Sequence, residues 1–278
     1  MRRGPAGRQR LRQLARLARV LLGTQYAYML EYRAEIALWA LSGVLPLIML
    51  GVWQGAQAGG DPATAGISGL DPVQLGRYFL AAFVVRQFTI VWVIHVFEED
   101  HLQGRLSPYL LQPLPPVWRY VSAHLAEQAT RLPFVIVIVA VFTLVQPAGY
   151  GLPGPLRLLL GILFTFLAFG LRFLLQFALT MLCFWSERAA ALDRLLFLPY
   201  LYLSGLVAPL EAFPEGMRRL AAWTPFPYML HLPAQLLAGG EVNAAASLAV
   251  MLGWAALLVP LNLLLWRAGL RRYGAMGA

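Results

Sequence analysis

The sequence contains no lysine: all 22 of its basic residues are arginine, set against 13 acids for a formal charge of +9. A phosphate-binding loop of the usual GxxxxGK[ST] form needs a lysine, so that route to nucleotide hydrolysis is excluded in this chain. Cysteine is almost absent as well. The one thiol, Cys183, sits in an apolar run, which leaves no ligands for a disulfide framework or a cysteine metal cluster. Charge of any sign is scarce: 13% of residues are charged and 59% are hydrophobic, where a soluble domain carries about a quarter charged residues. Mean hydropathy is +0.64. The solvent for most of this chain is therefore lipid. A basic balance can point to nucleic acid, but here the arginines cluster at the start of the chain and beside apolar runs. Anionic lipid is the simpler partner, and no nucleic acid is expected.

Catalytic signatures are missing too. There is no HExxH, no CxxC and no pair of carboxylates within an apolar run. His95, His101, His124 and His231 are dispersed along the chain and read as interfacial polar residues, not as a metal set. Gly66-Ile67-Ser68-Gly69 matches the GxSG of rhomboid-like intramembrane proteases. Ser68 falls in a Gly/Pro/Asp loop outside the apolar core, however, which argues against an intramembrane enzyme. The leader also lacks the short apolar core and small-residue cleavage site of a secretory signal.

What is present is a basic leader, six apolar spans and short connections. In the leader, residues 1–32, Leu11, Leu14, Leu17, Leu21 and Leu22 recur at helical spacing while Arg8, Arg12, Arg16 and Arg19 fall on the other side. That is the pattern of a helix lying in the interface of an anionic leaflet, and equally of a basic topogenic flank. A bilayer core takes roughly 20 apolar residues of helix. The spans are expected at about 35–56, 78–97, 132–146 (extending back through 123–131), 156–185, 192–210 and 244–266. Pro46, Pro199, Pro209 and Pro260 fall within or at the ends of these and are expected to bend them. Between the last two spans, residues 211–240 are too apolar for a free loop and too broken for a span. They read as two short helices joined at 224–227, with Trp223, Phe226 and Tyr228 suited to the interface. With the N-terminus placed in the cytoplasm, 16 of the 22 arginines fall inside and four outside, so both termini are expected to be cytoplasmic and the broken hairpin external.

Two sets of residues stand out as candidate sites. The first is the longest polar interruption, residues 97–116. Glu98, Glu99 and Asp100 open it, Gly104 permits a sharp change of direction, and Arg105 and Gln103 rim a small apolar face of Leu106, Tyr109, Leu110 and Leu111. Pro113, Pro115 and Pro116 stiffen the return. Such an element suits docking into a groove of a soluble protein, or lying on lipid headgroups. The second set lies inside the spans: Arg86 with Gln87, and Arg172 with Gln176 one turn later. A mid-bilayer arginine costs from about 3 to over 10 kcal/mol. These arginines either bond backbone carbonyls as packing residues or line a central pathway that attracts a negatively charged part of a cargo.

The layout resembles the permease subunits of type-two ATP-binding-cassette exporters, closest to a poorly characterised bacterial branch. The resemblance is carried by six spans, an arginine-rich interfacial leader, a broken hairpin before the last span, and a cytoplasmic E-x-x-x-x-G-R-L-x-x-x-L-L-x-P pattern. In that pattern stand Glu99, Gly104, Arg105, Leu106, Leu110, Leu111 and Pro113. The resemblance implies an all-α polytopic membrane protein forming one transmembrane permease domain over residues 1–278, multi-pass in the bacterial cytoplasmic (inner) membrane. It implies a coupling region at 98–119, in which Glu98, Glu99, Gln103, Gly104, Arg105, Leu106, Tyr109 and Leu110 contact the ATPase. It further implies that the re-entrant hairpin at 211–240, with Pro209, Glu211, Pro225 and Pro227, helps close an external gate. The implied partners are two copies of an ATP-binding-cassette ATPase, which hold ATP and Mg²⁺, and a second permease, identical or related. This chain is then expected to hold no cofactor and to be no enzyme. A rival reading is a permease-like subunit that uses the ATPase for mechanical work on the membrane or envelope, with nothing crossing.

Overall fold

The structure is a computed structural model and describes residues 5–59, 71–145, 153–186 and 189–276. Every regular element among those residues is helical. The GxSG stretch at 66–69 lies outside the described residues. The leader forms α1 (Pro5–Glu31), which starts on a proline, where a helix needs no amide hydrogen. The first apolar run divides into α2 (Arg33–Ser42) and α3 (Leu45–Ala58). The break falls at Gly43 and Val44, ahead of Pro46, which sits in the first turn of α3 and ends no helix there.

The second run divides as well, into α4 (Pro72–Thr89) and α5 (Val93–Leu102), separated by an extended Ile90. A five-residue helix, α6 (Leu106–Leu110), follows the turn at Gly104. Then α7 (Val117–Val145) runs for 29 residues. It begins 15 residues before the apolar run that marked the expected third span at 132, because its first half is polar and buried. Tyr120, Ser122, His124, Gln128, Thr130 and Arg131 there are all at most 5% exposed. Helix α8 (Pro155–Thr180) continues into a tighter turn at Met181–Phe184.

The expected fifth span, 192–210, is instead α9 (Ala190–Leu203) followed by irregular chain. At 14 residues, and 1.5 Å per residue, α9 covers about 21 Å, short of the roughly 30 Å hydrocarbon core. Pro199 is tolerated inside it, and the chain turns at Gly205 with φ of +82°. A short turn at Leu210–Ala212 leads to α10 (Glu215–Ala222), α11 (Phe226–Met229) and α12 (His231–Ala238). The last element, α13 (Ala244–Met276), is 33 residues long. Five stretches among the described residues are long and apolar enough to cross a membrane: Arg33–Ala58, Pro72–Leu102, Val117–Val145, Pro155–Phe184 and Ala244–Tyr273.

Two cores hold these helices together. One gathers Leu50 of α3, Phe79 and Val85 of α4, Phe164 and Leu171 of α8, and Leu232 and Leu236 of α12. The other gathers Phe97 of α5, Leu106 of α6, Tyr120 of α7, Phe173 and Phe177 of α8, and Phe184. Helix α8 belongs to both and is the central post. The hairpin α10–α12 sits against the start of α4, whereas α5 and α6 lie at its other end. The polar interruption and the hairpin are therefore at opposite ends of the α4–α5 pair.

Candidate functional site

The polar interruption is a braced arm. Gly104 adopts φ of +70°, the left-handed region that costs a side chain about 1–2 kcal/mol. No neighbouring atom lies within 4 Å of where a Cβ would stand, so the glycine is there for the turn and not for space. The turn returns Arg105 over the end of α5. Its guanidinium reaches Glu99 at 3.0 Å and Asp100 at 2.9 Å. Desolvation is the largest single influence and opposes the charge on Arg105, but the hydrogen bonds and charges of Glu99 and Asp100 together outweigh it and raise its pKa. Asp100 is 3% exposed and also accepts the Tyr120 hydroxyl of α7 at 2.9 Å. Gln103 donates to Glu99, and Ser107 pairs with Tyr273 of α13 at 2.7 Å. The Arg119 guanidinium lies 4.1 Å from the Tyr109 ring centroid.

The apolar face read from the sequence separates in the fold. Leu106 is fully buried and pins the arm, and Leu110 packs partly under it. Leu111, 88% exposed, and Leu102, 57% exposed, form the outer surface. Behind the arm, a cavity of about 530 Å³ opens between α1 and α5–α7, lined in part by Gln25, Tyr28, Glu99, Arg105 and Arg119. The Glu98 carboxylate accepts the Ala190 amide at 2.7 Å, so α5 holds the first turn of α9.

The break between α4 and α5 carries a buried polar cluster. Its freed backbone atoms are met one by one from α7. Arg131 donates to the Gln87 carbonyl at 2.7 Å, Gln128 to the Phe88 carbonyl at 2.8 Å, and the Trp92 amide donates to His124 Nε2 at 3.0 Å. Because Nε2 accepts there, the His124 proton is on Nδ1 and is donated to the Tyr120 carbonyl at 2.7 Å. Glu127 pairs with Arg131 and accepts the Trp92 indole N–H. Reasoning from apolar runs missed this row, since it sought spans first. The signal was still present: His124, Glu127, Gln128 and Arg131 sit at i, i+3, i+4 and i+7, one face of a helix.

The four intramembrane polar residues part company. Gln87 faces the α2–α3 break, where its amide donates to the Ala40 carbonyl at 2.8 Å. It packs against Gly43 so closely that a Cβ there would collide with the amide. Arg172 instead lies with its Cζ 4.1 Å from the Tyr200 ring centroid. Gln176 donates to Asp193 at 2.7 Å, and Arg86 Nε is buried with no hydrogen-bond partner among the described residues.

The hairpin end is latched by a chain of hydrogen bonds. Glu211 lies 3.3 Å from His231 Nε2 and accepts from Gln235 at 3.0 Å. His231 Nδ1 lies 3.0 Å from the Tyr78 hydroxyl, which donates to the Gly205 carbonyl at 2.7 Å. Trp53 donates to the Val207 carbonyl at 2.8 Å, and Arg157 to the Gly239 carbonyl at 2.6 Å. Pro209 precedes the Leu210–Ala212 turn, while Pro225 and Pro227 are buried at the start of α11.

No curated protein matches the chain. A family model described as ABC-2 family transporter protein matches residues 73–277, from the first turn of α4 to the end of α13. The match takes in the braced arm, the polar break and the hairpin alike. Together with five helices long enough to span a bilayer, it makes this a multi-pass membrane component of an ABC transporter, and the chain belongs to the ABC-2 transporter family.

Proposed function

We propose that this chain is half of the translocation pathway of an ATP-driven exporter and takes up the motion of a separate ATPase through residues 98–111. The observation that carries the reading is the bracing of the arm. Arg105 ties it to α5, Leu106 to the core, and Glu98 ties α5 to the first turn of α9. A push on the exposed Leu102 and Leu111 therefore cannot be absorbed locally. It passes into α5, and from there to α9 and to the hinge-like break at Ile90. In this reading two ATPase subunits hold ATP and Mg²⁺, this chain performs no hydrolysis, and a second permease supplies the other half. The arginine distribution supports a bacterial cytoplasmic membrane with both termini and the arm on the cytoplasmic side. The hairpin, latched to α4 through Tyr78 and His231, then stands at the external mouth as a gate.

The test is reconstitution with a partner ATP-binding-cassette ATPase. ATP-dependent accumulation of substrate inside inverted vesicles supports export, and its loss in Arg105→Ala with membrane insertion intact supports coupling through the arm. ATP hydrolysis by the complex with no solute crossing under any condition would move the assignment to mechanical work on the membrane. A chain that assembles with no ATPase would overturn the proposal.

A further inference from the structure

The cavity behind the arm is walled on one side by the leader. Its volume is about 530 Å³, inside the range of roughly 300–1,000 Å³ for sites that take small molecules. Thr24, Gln25, Tyr28 and Met29, on one face of α1, stand opposite α5–α7. Its depth follows from lengths. Helix α7 has 29 residues. At 1.5 Å per residue it is about 43 Å long, about 13 Å more than the roughly 30 Å hydrocarbon core. The excess falls in its polar first half, where Arg119, Tyr120 and Ala123 line the cavity. The cavity therefore stands at the headgroup layer. Four charged side chains line it, two guanidiniums and two carboxylates, so their charges cancel. Asp100 is fully used: Arg105 Nε donates to one oxygen and the Tyr120 hydroxyl to the other. Glu99 takes Arg105 and Gln103 on Oε1 alone, and its Oε2 has no partner among the described residues. The Arg119 guanidinium lies against the Tyr109 ring and meets no carboxylate among the described residues. One cation on α7 and one carboxylate oxygen on α5 are thus open to a ligand.

We propose that this cavity binds the headgroup of a zwitterionic phospholipid bearing a primary ammonium, phosphatidylethanolamine, with its phosphate on Arg119 and its ammonium on Glu99. A guanidinium held on an aromatic ring keeps its N–H groups for phosphate oxygens, and the ammonium brings donors to the unused Glu99 oxygen. A purely anionic headgroup leaves that oxygen unserved, and a quaternary ammonium has no N–H to give it. The site goes beyond the transporter reading and does not depend on it. Because Glu99 also holds Arg105, an occupied site ties α1 and α7 to the arm.

The experiment uses the full chain purified in detergent and offered equal amounts of dioleoyl phosphatidylethanolamine, phosphatidylcholine and phosphatidylglycerol. Native mass spectrometry reads the lipid retained. Phosphatidylethanolamine is expected to be retained about tenfold over either other lipid. Arg119→Gln removes a charge-assisted hydrogen bond and is expected to lower that retention about tenfold. Glu99→Gln leaves Arg105 tied to Asp100 and is expected to abolish the preference over phosphatidylglycerol. Arg119 and Glu99 are exposed, so neither substitution opens the core. Arg194→Gln, at an exposed position of α9, controls for unspecific attraction of phosphate and is expected to match the parent. Equal or greater retention of either other lipid by the parent, or undiminished retention by Arg119→Gln, overturns the site. Soluble glycerophosphoethanolamine separates the sources of the headgroup: competition assigns the site to the free phosphodiester, and no competition to the leaflet lipid. No ATPase is present, so a negative result removes the headgroup site alone, and the vesicle assay decides the transporter reading separately.

Discussion

Arg131 and Glu127 are the residues whose removal is most damaging for reasons of charge. Arg131 is 3% exposed, and deleting it alone leaves the Glu127 carboxylate and the Gln87 carbonyl without their partner. Arg131→Met is expected to lower stability by about 3–5 kcal/mol. Adding Glu127→Gln removes the stranded charge and should recover more than half of that loss. Thermal unfolding of the two variants in detergent tests this; an additive double variant would mean that the pair does not act as a unit. Two of the three left-handed glycines among the described residues make a second contrast at this scale. Gly104→Ala and Gly205→Ala both incur the backbone penalty of about 1–2 kcal/mol. At Gly205 the new methyl would also strike the Tyr78 hydroxyl and His231, whereas at Gly104 it meets nothing within 4 Å. Gly205→Ala is therefore expected to lower the melting temperature clearly more than Gly104→Ala, and equal shifts would argue against the packing described.

At the scale of elements, the α4–α5 break and the hairpin each depend on side chains borrowed from elsewhere. The break has neither proline nor glycine at 89–92. It persists because α7 satisfies the freed Gln87 and Phe88 carbonyls and the Trp92 amide. Gln128→Leu removes one of those bonds and His124→Leu another. Faster hydrogen exchange is expected at Trp92 and the first turn of α5 in both, with the far end of α7 unchanged; unaltered protection would mean that the break is held by packing alone. The hairpin latch carries a pH dependence through Glu211. Desolvation works against its charge, but the hydrogen bond and charge of His231, with help from Gln235, hold its carboxyl below the usual carboxylate range. A folded-state value below the unfolded one means that the stabilisation is complete above about pH 4.5. It is lost as pH falls through the lower folded value. Glu211→Gln should flatten this acid limb of a melting-temperature profile, and an unchanged limb would place the titrating group elsewhere.

For the whole molecule, the question is how one end informs the other. The arm at 98–111 and the hairpin at 210–240 grip opposite ends of the α4–α5 pair, and α8 packs into both cores. The exposed Leu111 is the place to break the partnership without harming the fold. Leu111→Asp is expected to abolish co-purification of the ATPase while leaving membrane insertion and melting temperature within error. Retained co-purification and coupled hydrolysis would remove Leu111 from the docking surface. Leu106→Asp, by contrast, buries a charge in the core and is expected to prevent assembly altogether.

Composition and hydropathy alone determined that this is a helical membrane protein, because an apolar run of some 20 residues has few other stable fates. The polar interruption at 97–116 was legible for the same reason, since it stands out against its surroundings. Gly104 announced its turn through a conformation that other residues avoid. What only the tertiary structure decided is which polar atom meets which. Sequence spacing placed Arg86, Gln87, Arg172 and Gln176 as equals, but Gln87 bonds the Ala40 carbonyl of α2 whereas Gln176 bonds Asp193 of α9. The end of α4 has no local mark, because its cause is a row of side chains some 40 residues away on α7. Leu106 and Leu111, alike in sequence, differ as core and surface because a five-residue helix has only one face to bury.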